Sequence, residues 1–114
     1  MNFQNDAPII KKIFDFYLIF HVESQKFPKS EKYTIAEKIK NIVLTVLELI
    51  IQAVSEKEKI FLLKKAQTKL DLLKLLIRLC CDLKIINSKK YLELEEKLQE
   101  IGRMLGGWIR SLKQ

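Results

Sequence analysis

Few residues in this chain have the types and spacing to do chemistry, and they crowd into its closing stretch, Ile101-Gly102-Arg103-Met104-Leu105-Gly106-Gly107-Trp108-Ile109-Arg110. That stretch holds the three glycines of the molecule, its single tryptophan and two arginines seven residues apart. Arginines at that spacing share a helical face and suit bidentate contacts to phosphate oxygens. Their other reading is as solvated side chains that balance Glu93, Glu95, Glu96 and Glu100 upstream. Acids first and Arg103, Arg110 and Lys113 last also complements a helix dipole without any ligand. Gly102 and Gly106 lie one turn apart on a flank of the apolar seam, where they let another helix approach closely, while Trp108 sits in the seam. Arg103 and Arg110 are read on the opposite, polar side, with Gly107 offering bare backbone. Each helical glycine costs roughly 1 kcal/mol relative to alanine, so three together call for a close approach of backbone, partner or ligand.

Catalytic chemistry finds no such cluster. His21 is the one histidine and lacks a companion Cys or Ser constellation, so it reads as structural. Cys80 and Cys81 are adjacent, which suits neither a structural disulfide nor a metal pair, and they read as reduced core fillers. The glycines lie inside a helix and lack the Lys-Ser/Thr ending of a phosphate-cradling loop. No catalytic residue, metal or cofactor is expected, and no enzymatic activity. Lys74 and Arg78 are either polyanion contacts or partners of Asp71 and Asp82 at helical spacing.

The chain carries 21 basic against 14 acidic side chains, a net charge of +7, which attracts polyanions. The excess lies in the second half, where residues 56–88 hold eight cations against four acids and residues 89–114 hold six against four. It forms no basic tail, so a polyanion site has to be assembled by the fold. No run of about 18 uncharged apolar residues and no cleavable leader pattern occurs, so no membrane association and a cytoplasmic location are expected.

The elements that must position these residues are helices. With 48% hydrophobic and 31% charged residues but only three Gly and two Pro, the 114 residues describe a single all-α domain without the turns of a sheet. Periodicity and caps predict helices at about 8–25, 34–54, 56–86 and 89–112. The first has Asp6 as a cap and Pro8 near its start, with Ile9, Ile13, Phe16 and Phe20 at helical spacing. It ends at Phe27-Pro28-Lys29-Ser30. Thr34-Ile35-Ala36-Glu37 and Ser55-Glu56-Lys57-Glu58 are capping-box patterns that open the second and third. Nothing breaks the third before Asn87-Ser88, giving it about 30 residues, and Ser88 caps the fourth. The fourth helix carries Tyr91, Leu94, Leu98, Ile101, Leu105, Trp108 and Leu112 at alternating spacings of three and four. Short connections make an antiparallel up-down-up-down four-helix bundle the expected architecture.

The apolar arcs are wider than such a bundle needs. On the third helix Ala66, Leu70, Leu73, Ile77 and Cys80 form one stripe and Leu72, Leu76, Leu79, Leu83 and Ile86 a second. Lys64, Gln67, Asp71, Lys74, Arg78 and Asp82 share the polar strip that remains. On the second helix Ile39, Ile42, Val43, Val46, Leu47, Ile50, Ile51 and Val54 are similarly broad. A core-facing arc needs little more than 100°, and surplus apolar surface marks an interface, so a homo-oligomer is expected.

The ending Glu100 to Ser111, the stretch Leu76-Ile77-Arg78-Leu79-Cys80-Cys81-Asp82-Leu83-Lys84 with Ser88-Lys89-Lys90-Tyr91, and Phe27-Pro28-Lys29-Ser30-Glu31-Lys32-Tyr33-Thr34 resemble the accessory variability determinant (Avd) proteins of diversity-generating retroelements. The resemblance spans about residues 8 to 112. These proteins sit in a wider group of four-helix bundles that includes proteins found in intervening sequences of bacterial large-subunit ribosomal RNA genes. Cys80-Cys81 departs from the small residues, such as alanine, expected there. The resemblance implies a homopentameric barrel of bundles with a basic surface. It implies partners too: the element's reverse transcriptase and nucleic acid, template RNA or cDNA, in error-prone copying into a target gene. From charge and helical spacing, the nucleic-acid-binding residues are expected among Lys74, Arg78, Lys89, Lys90, Arg103, Arg110 and Lys113, with Gly102, Gly106 and Trp108 in helix packing. Two other readings stand beside it: an RNA-associated or structural protein of the ribosomal intervening-sequence type with no reverse transcriptase partner, and a small RNA-processing or toxin-like enzyme, which the single histidine disfavours.

Overall fold

A computed structural model describes residues 8–113, and every regular element among them is a helix. Four long helices, α1 (Pro8–Ser24), α2 (Ile35–Ser55), α3 (Ile60–Asp82) and α4 (Ser88–Leu112), are joined by short connections, the first of which holds a single helical turn, Lys29–Lys32. Each helix packs on its chain neighbour and α4 closes on α1, so the four form an antiparallel bundle of 44 × 24 × 21 Å.

The core follows from the expected stripes. Ile9, Ile13, Phe16 and Phe20 of α1 are buried, as are Ala66, Leu70, Leu73, Ile77 and Cys80 of α3 and Leu94, Leu98, Ile101 and Leu105 of α4. Trp108 is half-buried and packs against this core. Phe20 stacks with Phe16 and meets Phe27 edge-on at 5.8 Å between ring centres, which ties the end of α1 to the loop that leaves it.

The helix ends differ from the expected ones, each for a local reason. Thr34 makes no capping bond; its hydroxyl donates to the Ser30 carbonyl at 2.9 Å, an acceptor supplied by the extra helical turn before it. Ser55 does not open α3. It closes α2, donating to the Gln52 carbonyl, and Glu56 then adopts an extended conformation. The last carbonyls of α2, from Ala53 and Val54, accept instead from the Lys59 ammonium at 2.7 and 3.2 Å, and α3 begins only at Ile60.

At its far end α3 stops at Asp82, before the expected Ile86. Lys84 takes a left-handed conformation at φ 62°, while the Ile85 amide donates to the Cys80 carbonyl and the Lys84 amide to the Cys81 carbonyl. This is a Schellman closure made without glycine. Asn87, not Ser88, caps α4, its side-chain oxygen accepting from the Lys90 amide at 2.8 Å. The cap expected at Asp6 lies outside the described residues.

The surplus apolar surface falls only partly on the broad arcs: Leu79, Leu83 and Ile51 belong to them, whereas the exposed residues of α1, Leu75 and Leu44 lie outside the stripes expected to carry it. Phe14, Leu18 and Val22 of α1 are exposed at spacings of four, and Leu75 and Leu79 of α3 with Leu83 just past its end repeat that pattern. Leu44 and Ile51 are exposed on α2. Of the second stripe expected on α3, Leu72 and Leu76 are half-buried and Ile86 alone is buried. No helix among the described residues is long and apolar enough to cross a membrane.

Candidate nucleic-acid interface

The polar strip of α3 and one edge of α4 face each other across a groove of about 520 Å³. It is lined by Gln67, Leu70, Asp71 and Lys74 from α3 and by Gln99, Gly102, Arg103, Gly106 and Arg110 from α4. Antiparallel packing brings them together: the buried Leu70 sets the contact depth, and a side chain on Gly102 would begin 3.5 Å from its Cδ2. A Cβ on Gly102 would make an ordinary contact with Leu70, so the approach of α3 does not itself require glycine at this position.

Gly106 behaves differently. The atom that a Cβ there would meet is Nη1 of Arg110 on the same helix, at 3.3 Å, and at Gly107 it is Arg110 Nη2 at 3.8 Å. The inter-helix packing expected of Gly106 is thus not made within this chain. Over Gly102 lies the Lys74 ammonium, with Nζ 3.3 Å from the position of the absent Cβ. Two consecutive turns of α4 are bare, and a cation head rests on each.

This corrects the expectation that glycines and arginines lie on opposite sides of α4. At 100° per residue, Gln99, Gly102, Gly106, Arg110 and Arg103 fall within about a 100° arc, adjacent to the apolar seam. The arc forms one wall of the groove because its glycines carry no side chains to fill it.

The remaining basic residues are dispersed. Arg78 lies further along α3 and its Nε is 3.9 Å from Asp82 Oδ2, an exposed pair worth little in water. Lys90 points to another groove, between α1 and α4, which it lines with Leu18, Ile19, Val22, Glu23 and Lys26. Its Nζ donates to Glu93 Oε2 at 3.0 Å, a bond that raises the Lys90 pKa and lowers that of Glu93. Lys89 and Lys113 are exposed at the two ends of α4, roughly 36 Å apart. The structure thus brings together Lys74, Arg103 and Arg110 of the seven. No ion pair joins these three to a described carboxylate within 4.0 Å, so Lys74 does not pair with Asp71. Gln99 went unnoticed in the sequence; the signal for it was its place on the same α4 arc.

Nothing around the groove resembles a catalytic centre. His21 is exposed on α1, stacked on Tyr17, with Nδ1 3.1 Å from Lys40 Nζ. The Cys80 thiol is buried and its pKa is pushed up to about 12, by burial first and then by the charges of Glu31 and Cys81. Both cysteines are unbridged, and no group of three His, Cys, Asp or Glu among the described residues is placed to hold a metal ion.

A basic groove on a four-helix bundle with the Gly-Arg-Trp ending can be set beside known families, and the bAvd-like family model matches residues 8–112. The chain belongs to the bAvd-like family. The match takes in all four helices, so it covers both walls of the groove and the exposed apolar stripes. At the level of the family, this is an accessory protein of the retroelement type. Among the curated proteins nothing matches the chain.

Proposed function

We propose that this bAvd-like protein is a non-enzymatic adaptor of a diversity-generating retroelement, holding template RNA or cDNA close to the element's reverse transcriptase. The observation that carries this reading is the α3–α4 groove, where Lys74, Arg103 and Arg110 converge without carboxylate partners among the described residues. Cations left unpaired in one recess attract phosphate, and phosphate contacts supply most affinity that does not depend on base sequence. The family supports the reverse transcriptase as partner. The exposed stripes on α1 and α3 support self-association, and the family resemblance favours five subunits.

The test is binding of a labelled oligonucleotide to the purified full chain. Affinity falls steeply as salt rises, and replacing both Arg103 and Arg110 by Glu abolishes it while the helical circular dichroism is kept, since both side chains are exposed. Binding that is indifferent to salt would reject the electrostatic role. Co-purification with the reverse transcriptase encoded beside it tests the second half. A stable monomer at micromolar concentration by light scattering would remove the case for self-association.

A further inference from the structure

We infer that the α3–α4 groove takes the phosphodiester backbone of a single strand and turns a duplex away; this rests on the nucleic-acid role proposed above and specifies the form of nucleic acid that fits. The cations lie in a recess between two packed helices, whose axes in such packing are about 8–10 Å apart. A duplex is a stiff convex cylinder wider than that gap. It can touch Arg103 on the rim but cannot bring a phosphate down to the floor, whereas one strand can enter lengthwise.

The floor is built for such a strand. The Lys74 and Arg110 heads rest over Gly102 and Gly106. These positions are one turn apart, about 6 Å along the axis, a spacing of the order of that between successive phosphates of one strand. The bare turns let the two cation heads sit low in the groove, and any side chain on Gly106 would start 3.3 Å from Arg110 Nη1 and push that head out of the path. Gln67 and Gln99 line the walls, each with an amide that both donates and accepts, the capacity needed to meet base edges of any sequence. Among the described lining residues the one carboxylate is Asp71, which repels the strand and limits its affinity.

The experiment is fluorescence anisotropy on the full chain with two probes of equal length, an unstructured single strand and a blunt duplex. The single strand binds at least tenfold more tightly. Asp71→Asn strengthens single-strand binding about threefold by removing a like charge, whereas Arg103→Gln weakens it about tenfold by removing a charge-assisted contact. Gly106→Leu weakens it similarly by occupying the floor and leaves duplex binding unchanged. Circular dichroism confirms that each variant is folded, and Asp71→Asn, an exposed substitution, tests the site even if Gly106→Leu does not fold. Equal affinity for the two probes, or single-strand binding untouched by both Asp71→Asn and Gly106→Leu, overturns the groove assignment while the adaptor role stands. Failure to bind either probe overturns the nucleic-acid role itself.

Discussion

Adding one methyl group to Gly107 should make the protein more stable. Gly107 lies inside α4, and its φ is not positive, so alanine fits the backbone without strain. The new Cβ would meet only Arg110 Nη2 at 3.8 Å, an ordinary contact. The helix-propensity difference of roughly 1 kcal/mol is then gained almost whole. At Gly106 the nearest atom, Arg110 Nη1 at 3.3 Å, must yield slightly, and it is the free end of a flexible side chain. At Gly102 the Lys74 ammonium must yield as well, and Leu70 Cδ2 stands at 3.5 Å in a packed core. The expected order of stabilisation is therefore Gly107→Ala, then Gly106→Ala, then Gly102→Ala. Urea unfolding followed by circular dichroism should show the midpoint rising with the slope unchanged, at a protein concentration held constant so that self-association does not enter. Loss of stability in Gly107→Ala would refute the reasoning, because it would mean that something outside this chain already packs on that turn.

Two further outcomes follow from the described ends and core. Asn87→Ala should cost about 1 kcal/mol because it removes the one side-chain cap on α4, whereas Thr34→Ala should cost only a few tenths, since Thr34 caps nothing; equal losses in urea would contradict these ends. The Cys80 thiol titrates near 9.0 when unfolded and at about 12 when folded. Its contribution to stability is complete below the first value and is lost as pH rises towards the second, on the order of 1 kcal/mol of it by pH 10. Cys80→Ala should remove that part of the decline between pH 8 and 10, and identical slopes for the two proteins would show that the thiol is not held protonated.

Periodicity alone placed most of the buried residues, because a 3.6-residue repeat of Leu and Ile reports burial directly, but it passed over Ile10, Leu49, Ala53, Leu63 and Ile109, which are buried as well. Helix ends were harder to read, for reasons visible at single residues. Thr34 and Ser55 have the composition of caps, but each hydroxyl found a carbonyl one turn back, an alternative that sequence spacing does not distinguish. The stop at Asp82 was invisible because its left-handed residue is Lys84, where glycine would have announced it. The groove was half legible. Gln67, Asp71 and Lys74 were on the polar strip of α3 and Arg103 and Arg110 on the polar side of α4, but Gln99 and the place of the glycines beside the arginines were missed, and joining the two walls required knowing that α3 and α4 pack through Leu70 and Gly102. Lys90 was expected among the binding residues with those cations and instead faces α1, a matter of wheel angle and not of sequence distance.

The exposed stripes on α1 and α3 are different surfaces, and that has a geometric consequence for any assembly they make. A pair related by a twofold axis must present the same patch to itself, so it leaves the other stripe in water. Joining the α1 stripe of one copy to the α3 stripe of the next is head-to-tail, and such a contact repeats until the rotation between copies closes a ring or, failing closure, runs on as a filament. The number of subunits would then be encoded in the angle at which the two stripes diverge across the bundle. A core substitution that tilts α1 against α3, far from any contact between copies, could change that number.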